Sequence, residues 1–347
     1  MAASPHVAPD AQSAPGLRLD EPDVSIPVER LIGVCPGTVT SAACPSPLRP
    51  TADVATVCLT EGSVAARFEP GAGMIGTSLT DDGVELLGQG RGLRRYVDSG
   101  DLFGLPILHP WANRLGEFGY AAQGVDVSLS PGQPGIRTDE NGLVIHGLLA
   151  GYPGWRVEEL TENQVIAALD FGGDPALMAG FPYPHEVSMR ITLRDRTLTI
   201  VTTVVATADL PVPLCFGYHP YLTIPEVPRS EWVLDLPQMR HLTLDEVLLP
   251  TGGYTDHPAT VVELGGAVYD DGFDGVADGA LFAVSGGDRR IEVHFECGYP
   301  AAQVYAPSHL DVVCFEPMAA PTDALRRGGY RSALLDEPVE ATFSIRV

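Results

Sequence analysis

The stretch Glu186-Val-Ser-Met-Arg-Ile-Thr-Leu-Arg-Asp195-Arg196-Thr-Leu-Thr-Ile200-Val-Thr-Thr-Val-Val205 decides the fold class. Val187, Met189, Ile191 and Leu193 alternate with Ser188, Arg190, Thr192 and Arg194. A period of two sets one face of a strand on a core and the other in water. Asp195-Arg196 interrupts the alternation, then Leu198, Ile200 and the following valines resume it, so 186–205 reads as a β-hairpin. Further out, Ile291, Val293 and Phe295 alternate with Glu292, His294 and Glu296, and Val339–Val347 behaves the same way. The 38 glycines and 31 prolines fall largely between such runs, in turn clusters such as Asp81-Asp82-Gly83, Pro131-Gly132 and Thr251-Gly252-Gly253. No sustained 3.6-residue apolar stripe is present, only one helical turn near Thr322 to Arg327. The expected fold is therefore all-β, a large antiparallel β-sandwich occupying one domain over 53–347.

Residues 1–52 have a different composition. Nine of the first fifty residues are proline, interleaved with Ala, Ser and Asp, and no amphipathic period survives. Such a segment buries too little apolar surface to order itself and is expected to be a disordered extension. Met1 to Pro15 lacks the basic start and apolar run of a secretory signal. Across the 347 residues, 21 basic against 45 acidic side chains give a formal net charge of −24. Nucleic acid and anionic membranes both require a basic footprint, so neither is an expected partner. No apolar run approaches a membrane span. The six cysteines show no zinc-ligand spacing; Cys58, Cys215, Cys297 and Cys314 lie in strand-like runs and read as small core residues, which fits a reducing cytoplasm.

Several motifs fail on their context. Gly71-Ala-Gly73-Met-Ile-Gly76 matches a dinucleotide fingerprint, but Asp81-Asp82-Gly83 breaks the chain where a helix would have to run. Asp270-Asp271-Gly-Phe-Asp274-Gly275 resembles a calcium loop, yet Leu281 stands where a bidentate Glu is needed. Five polar residues in turn-rich, aromatic or proline-marked settings remain: Arg114, His146, His219, Asp270 and Glu316. Each alone has a structural explanation. Together they supply an imidazole and a carboxylate able to move two protons near neutral pH, with donors to fix a substrate.

These segments carry a resemblance. Asn113-Arg114-Leu115, His146-Gly147, Gly217-Tyr-His219-Pro-Tyr221, Tyr269-Asp270-Asp271-Gly-Phe273 and Phe315-Glu316-Pro317, with Pro321-Thr-Asp323-Ala324, resemble the aldose 1-epimerase (galactose mutarotase-like) family in order and approximate spacing over about 54–347. The resemblance implies a supersandwich fold with no metal and no organic cofactor, and an open cleft for a small-molecule aldose. It implies Glu316 as general base and His219 as general acid, with Arg114, His146, Asp270 and Asn113 binding sugar hydroxyls. Trp111 and Tyr218 are candidates for a flat face against the ring or for packing. Gly104 to Trp111 departs from the family's usual pattern, and the proline-rich extension has no counterpart in it.

The implied activity is interconversion of the α and β anomers of a free hexose. A bell-shaped pH profile is expected, its acid limb from Glu316 and its basic limb from His219. Two alternatives stay open: a hexose-6-phosphate epimerase using Arg91, Arg94 and Arg95 as a phosphate clamp, and a non-catalytic carbohydrate-binding protein. A glycosidase would need a second carboxyl group with a clear role beside Glu316. The sequence leaves monomer and homodimer equally open.

Overall fold

The hairpin forms as His185–Arg194 and Thr197–Ala206, paired from His185↔Ala206 to Arg194↔Thr197. Asp195 and Arg196 make the two-residue turn with φ of 50° and 61°. Positive φ at both positions is the turn geometry whose twist matches the strands. An arginine is an unusual occupant, and tertiary bonds offset the strain: its guanidinium donates to both Asp81 carboxylate oxygens, at 3.0 and 2.8 Å. Asp81 lies on Ile75–Asp81, so this ion pair ties an N-terminal four-stranded sheet to the hairpin. The computed structural model describes residues 56–347; the extension expected over 1–52 lies outside the described residues.

The hairpin supplies two inner strands of a nine-stranded antiparallel sheet. Its strands run in the order Arg156–Leu160, Gln164–Asp170, His185–Arg194, Thr197–Ala206, Val339–Arg346, Arg289–Cys297, Ala280–Gly286, Val233–Leu236 and Thr260–Glu263. A seven-stranded sheet faces it, ordered Pro250–His257, Met239–Leu244, Tyr269–Asp274, Ala301–Ala306, Cys314–Met318, Gly217–Tyr218 and Ile107–Leu108. The inner faces meet through aromatic pairs. Tyr218 packs on Phe343 at 4.8 Å and Phe315 on Phe282 at 5.5 Å, while the Tyr218 hydroxyl meets Thr202 Oγ1 at 2.6 Å. Each such buried ring contributes about 1.5–3 kcal/mol of transfer free energy. The fold is thus a large antiparallel β-sandwich, as the alternation of the strands predicts.

Some local expectations need correction. Helices form over Gly92–Ser99 and Pro175–Gly180, each too short to display a sustained apolar stripe. The expected turn near Thr322 appears as Ala324–Arg327. Cys58 and Cys297 are exposed, because they occupy the outward position of one strand and the frayed end of another; only Cys215 and Cys314 are buried among those four. Gly73 has φ 78°, and a Cβ there would stand 2.4 Å from the Leu149 carbonyl oxygen, so the glycine-rich segment serves a close backbone approach before a strand. Among the described residues, no helix is long and apolar enough to cross a membrane.

Candidate active site

One antiparallel register assembles the centre of the site. Gly217 pairs with Met318, and Leu222 pairs with Val313 in the same register beyond Pro220. Between them His219 falls opposite Glu316, which in turn pairs with Gln303, and Gln303 with Gly272. Directly opposed residues in antiparallel strands share a face. His219, Glu316 and Gln303 therefore project from the outer face of the seven-stranded sheet, while Tyr218, Phe315 and Val304 point into the sandwich. Asp270, two residues before Gly272, shares the outer face, and its Oδ1 accepts the Gln303 side-chain N–H at 2.6 Å.

The opposite wall comes from the segment after Ile107–Leu108. Arg114–Leu115 pairs with Val144–Ile145, bringing His146 beside Asn113. Asn113 and His146 both have positive φ, 56° and 63°. Asn tolerates this conformation, and a histidine held there is strain of the kind concentrated at functional sites. The Asn113 Oδ1 accepts from the Arg114 backbone N–H at 2.8 Å and from its Nη1–H at 3.2 Å. Asp139 accepts from Arg114 Nε–H at 2.6 Å, and its other oxygen caps the backbone N–H groups of Asn141 and Leu143. Arg114 Nη2 lies 3.7 Å from Asp270 and 3.8 Å from Glu140.

All six residues singled out from the sequence, Asn113, Arg114, His146, His219, Asp270 and Glu316, line one pocket of about 180 Å³. This volume is of the order of one monosaccharide. The sequence reading missed Tyr221, Tyr305, Gln303, Glu140 and Asp139. Tyr221 stacks on the His219 ring at 4.3 Å with 8° between planes, and Tyr305 meets its edge at 5.7 Å. The apolar faces at the pocket are these tyrosines; Trp111 and Tyr218 are buried in the sandwich, because their positions alternate inward. Gln303 stands out as the one polar residue in Ala-Ala-Gln-Val-Tyr-Ala, a signal only period-two reading of 301–306 exposes. A larger cavity, near 590 Å³, lies beside Arg196 and Arg289, but both arginines are bonded to Asp81 and no histidine lines it.

His219 Nε2 lies 3.2 Å from Glu316 Oε1, with both side chains almost wholly buried, at 6% and 2% exposed. Burial pushes the Glu316 carboxyl well above its ordinary range, helped by Asp270 and opposed by Arg114. Burial also pushes the His219 imidazole down to about 3. The pair therefore rests as a neutral acid and a neutral imidazole sharing one proton. Moving that proton from Oε1 to Nε2 yields carboxylate and imidazolium without exchange with solvent. His146 is held well below 6.5 by burial and by the nearby His219 and Arg114, and so is a neutral hydrogen-bonding group. Glu316 Oε2, His219 Nδ1 and His146 Nδ1 have no hydrogen-bond partner among the described residues. Leaving such buried atoms unpaired costs about 1–3 kcal/mol each, the kind of cost retained where a site has work to do. Among the described residues, no group of three His, Cys, Asp or Glu side chains has the geometry to hold a metal ion.

The family model described as Aldose 1-epimerase matches residues 56–338. The chain belongs to the aldose 1-epimerase family, a carbohydrate-acting class. A galactose mutarotase-like protein from Clostridium acetobutylicum superposes with TM-score 0.73 at 17% identity, over 83% of this chain and 93% of that one. A protein from Synechocystis sp. PCC 6803 gives TM-score 0.68 at 22% identity, over 86% and 96%. An aldose epimerase homologue from C. elegans gives 0.69 at 15%, over 84% and 98%. At these identities the three superpositions establish a shared fold.

Proposed function

We propose that this protein is an aldose 1-epimerase that interconverts the anomers of a free hexose by acid–base opening and closure of the ring. The observation carrying this reading is the buried His219–Glu316 contact of 3.2 Å on the wall of a monosaccharide-sized pocket. Ionised Glu316 takes the proton of the anomeric hydroxyl, and C1 becomes a carbonyl as its bond to the ring oxygen breaks. That oxygen keeps the electron pair and receives the proton of the His219 imidazolium. Rotation about C1–C2 and reversal of the two transfers give the other anomer, each transfer typically worth about 10²–10⁴-fold. Arg114 and His146 present donors to oxygens that gain charge during opening. Polarimetry on freshly dissolved α-glucose tests the reading: the anomeric equilibrium is reached far faster than the spontaneous background. A decay indistinguishable from that background sinks it.

The hexose-6-phosphate alternative loses its anchor. Arg91 and Arg95 are engaged by Asp101, Arg94 pairs with Asp98, and none of the three lines the pocket, whose mouth carries Glu140 instead. Arg114→Ala is expected to raise KM for glucose more than it lowers kcat, since the guanidinium chiefly holds hydroxyls. The reverse split would place it in the chemical step.

The pH profile has limbs opposite in assignment to those expected from ordinary pKa values. Below the depressed His219 value near 3 both groups carry protons and no base remains. Above the raised Glu316 value the pair has lost its one proton and no acid remains. Activity therefore falls on the acid side as His219 gains a proton and on the alkaline side as Glu316 loses its own. Imidazole NMR checks this independently: His219 stays neutral at about pH 6, where an unperturbed histidine is mostly charged. An imidazolium signal at that pH would overturn the assignment.

A further inference from the structure

Arg114 faces three carboxylates and can neutralise one. Its 2.6 Å bond from Nε–H goes to Asp139, which is 2% exposed and does not line the pocket, so those two charges cancel in the wall. Asp270 and Glu140 share what remains, a single Nη2 at 3.7 and 3.8 Å, beyond hydrogen-bond range. Among the described residues no other cation lies within ion-pair distance of either carboxylate. Arg137, whose charge is felt at His146, donates to the Ala150 carbonyl at 2.6 Å and does not line the pocket either. The pocket therefore carries an excess of negative charge on its more exposed side, where Asp270 is 31% and Glu140 75% exposed.

Tyr305 stands with these carboxylates. It pairs with Asp270 across the strands and lines the pocket beside Glu140. Its hydroxyl is pushed up to about 12, first by burial and then by Cys314, Asp270, Glu316 and Glu140, so the ring stays uncharged with both rim carboxylates near it. Burial raises the Asp270 carboxyl above its ordinary value in spite of Arg114 and Gln303, which marks a charge short of positive company. Glu316 Oε2, His219 Nδ1 and His146 Nδ1 are buried in the same pocket without partners. The charge excess thus belongs to a place built to receive a ligand. Carboxylates beside an aromatic ring suit an ammonium group, which brings three donors and a positive charge.

We propose that the preferred substrate is an aminohexose, its protonated amine held between Asp270 and Glu140 at Tyr305 while C1 stands at Glu316 and His219. This rests on the reading of that pocket as the ring-opening site and adds the substrate class. The amine keeps its proton throughout, because ring opening moves only the proton of the anomeric hydroxyl and that of the imidazolium. The same two carboxylates repel anionic sugars, so the rim selects by charge in both directions.

The test compares glucose, glucosamine, 3-amino-3-deoxyglucose and glucuronate at about pH 6, where ammonium groups keep their proton and exposed carboxylates do not. Catalysed anomer exchange is followed by NMR of the anomeric protons, with the spontaneous rate subtracted. In the wild type the better aminohexose is expected to exceed glucose in kcat/KM by about 10-fold, and glucuronate to fall below glucose by about as much. Glu140→Gln, similar in shape and without charge, should reduce the amino-to-glucose ratio to about 3-fold. Glu263→Gln, exposed at the end of strand Thr260–Glu263 in the other large sheet, should leave the ratio in place. A wild-type ratio of one or less, or a ratio that Glu140→Gln does not lower, would overturn the assignment and leave glucose mutarotation intact. A ratio that Glu263→Gln lowers as far as Glu140→Gln would overturn it too, by tracing the preference to the net charge of −24. If no sugar is turned over, the ring-opening reading fails, and calorimetric titration of the Glu316→Gln protein still decides the charge preference. An aminohexose bound about 10-fold tighter than glucose upholds it, and equal affinities dismiss it.

Discussion

Glu316→Gln and His219→Asn are each expected to lower kcat for glucose mutarotation by about 10²–10⁴-fold, with much smaller changes in KM. Either substitution keeps the shape of the pocket and removes a proton the reaction must move. Stability shifts the other way for Glu316. In the unfolded chain this carboxyl ionises near 4.5, whereas burial in the folded protein holds it protonated to well above that. The folded state therefore loses stability relative to the unfolded chain as pH rises past the unfolded value, by about 1.4 kcal/mol per pH unit, until the folded value is reached. His219 acts with opposite sign, losing its contribution as pH falls from its ordinary 6.5 toward about 3. Glutamine needs no proton, so the Tm of Glu316→Gln should exceed that of wild type by a margin that widens as pH rises above about 4.5, the unfolded value. A constant margin over that range would mean Glu316 is ionised in the native protein, and full activity of either variant would remove the pair from the mechanism.

Asp139→Ala is the second large effect, and it falls mainly on folding. Its carboxylate is 2% exposed and receives Arg114 Nε–H at 2.6 Å, while its other oxygen holds the turn at Asn141 and Leu143. Removing one partner of a buried ion pair costs about 3–5 kcal/mol, because the remaining charge is left in a poor solvent. Thermal unfolding should show this as a fall in Tm of many degrees, with a raised KM in the surviving enzyme as the guanidinium loses its aim. Asp139→Asn, still able to accept the turn N–H groups, should lose less stability. An Asp139→Ala protein as stable as wild type would show that Asp270 and Glu140 suffice to hold Arg114.

The hairpin at 185–206 and the strands near 291 and 339 were legible because alternation is a local signal that burial on one face imposes directly. The six pocket residues were legible as short motifs. Their convergence was not, since His219 and Glu316 meet only through a register fixed by pairing between distant segments. Gln303, Tyr305 and Asp139 escaped for the same reason: nothing within a few residues of them marks which face they occupy or what stands opposite. Trp111 and Tyr218, which the sequence left open between a sugar-facing and a packing role, are packing residues: they neighbour site residues but their side chains alternate into the sandwich. The two short helices lacked enough turns to register as a period.

The acid and the base sit on adjacent strands of one sheet, whose far side is locked by Phe315 and Tyr218 against the opposing layer. Such a centre is preassembled and has no need of a lid to complete it. For the proposed epimerase, no closing motion then has to precede proton transfer, so turnover is not gated by a conformational step.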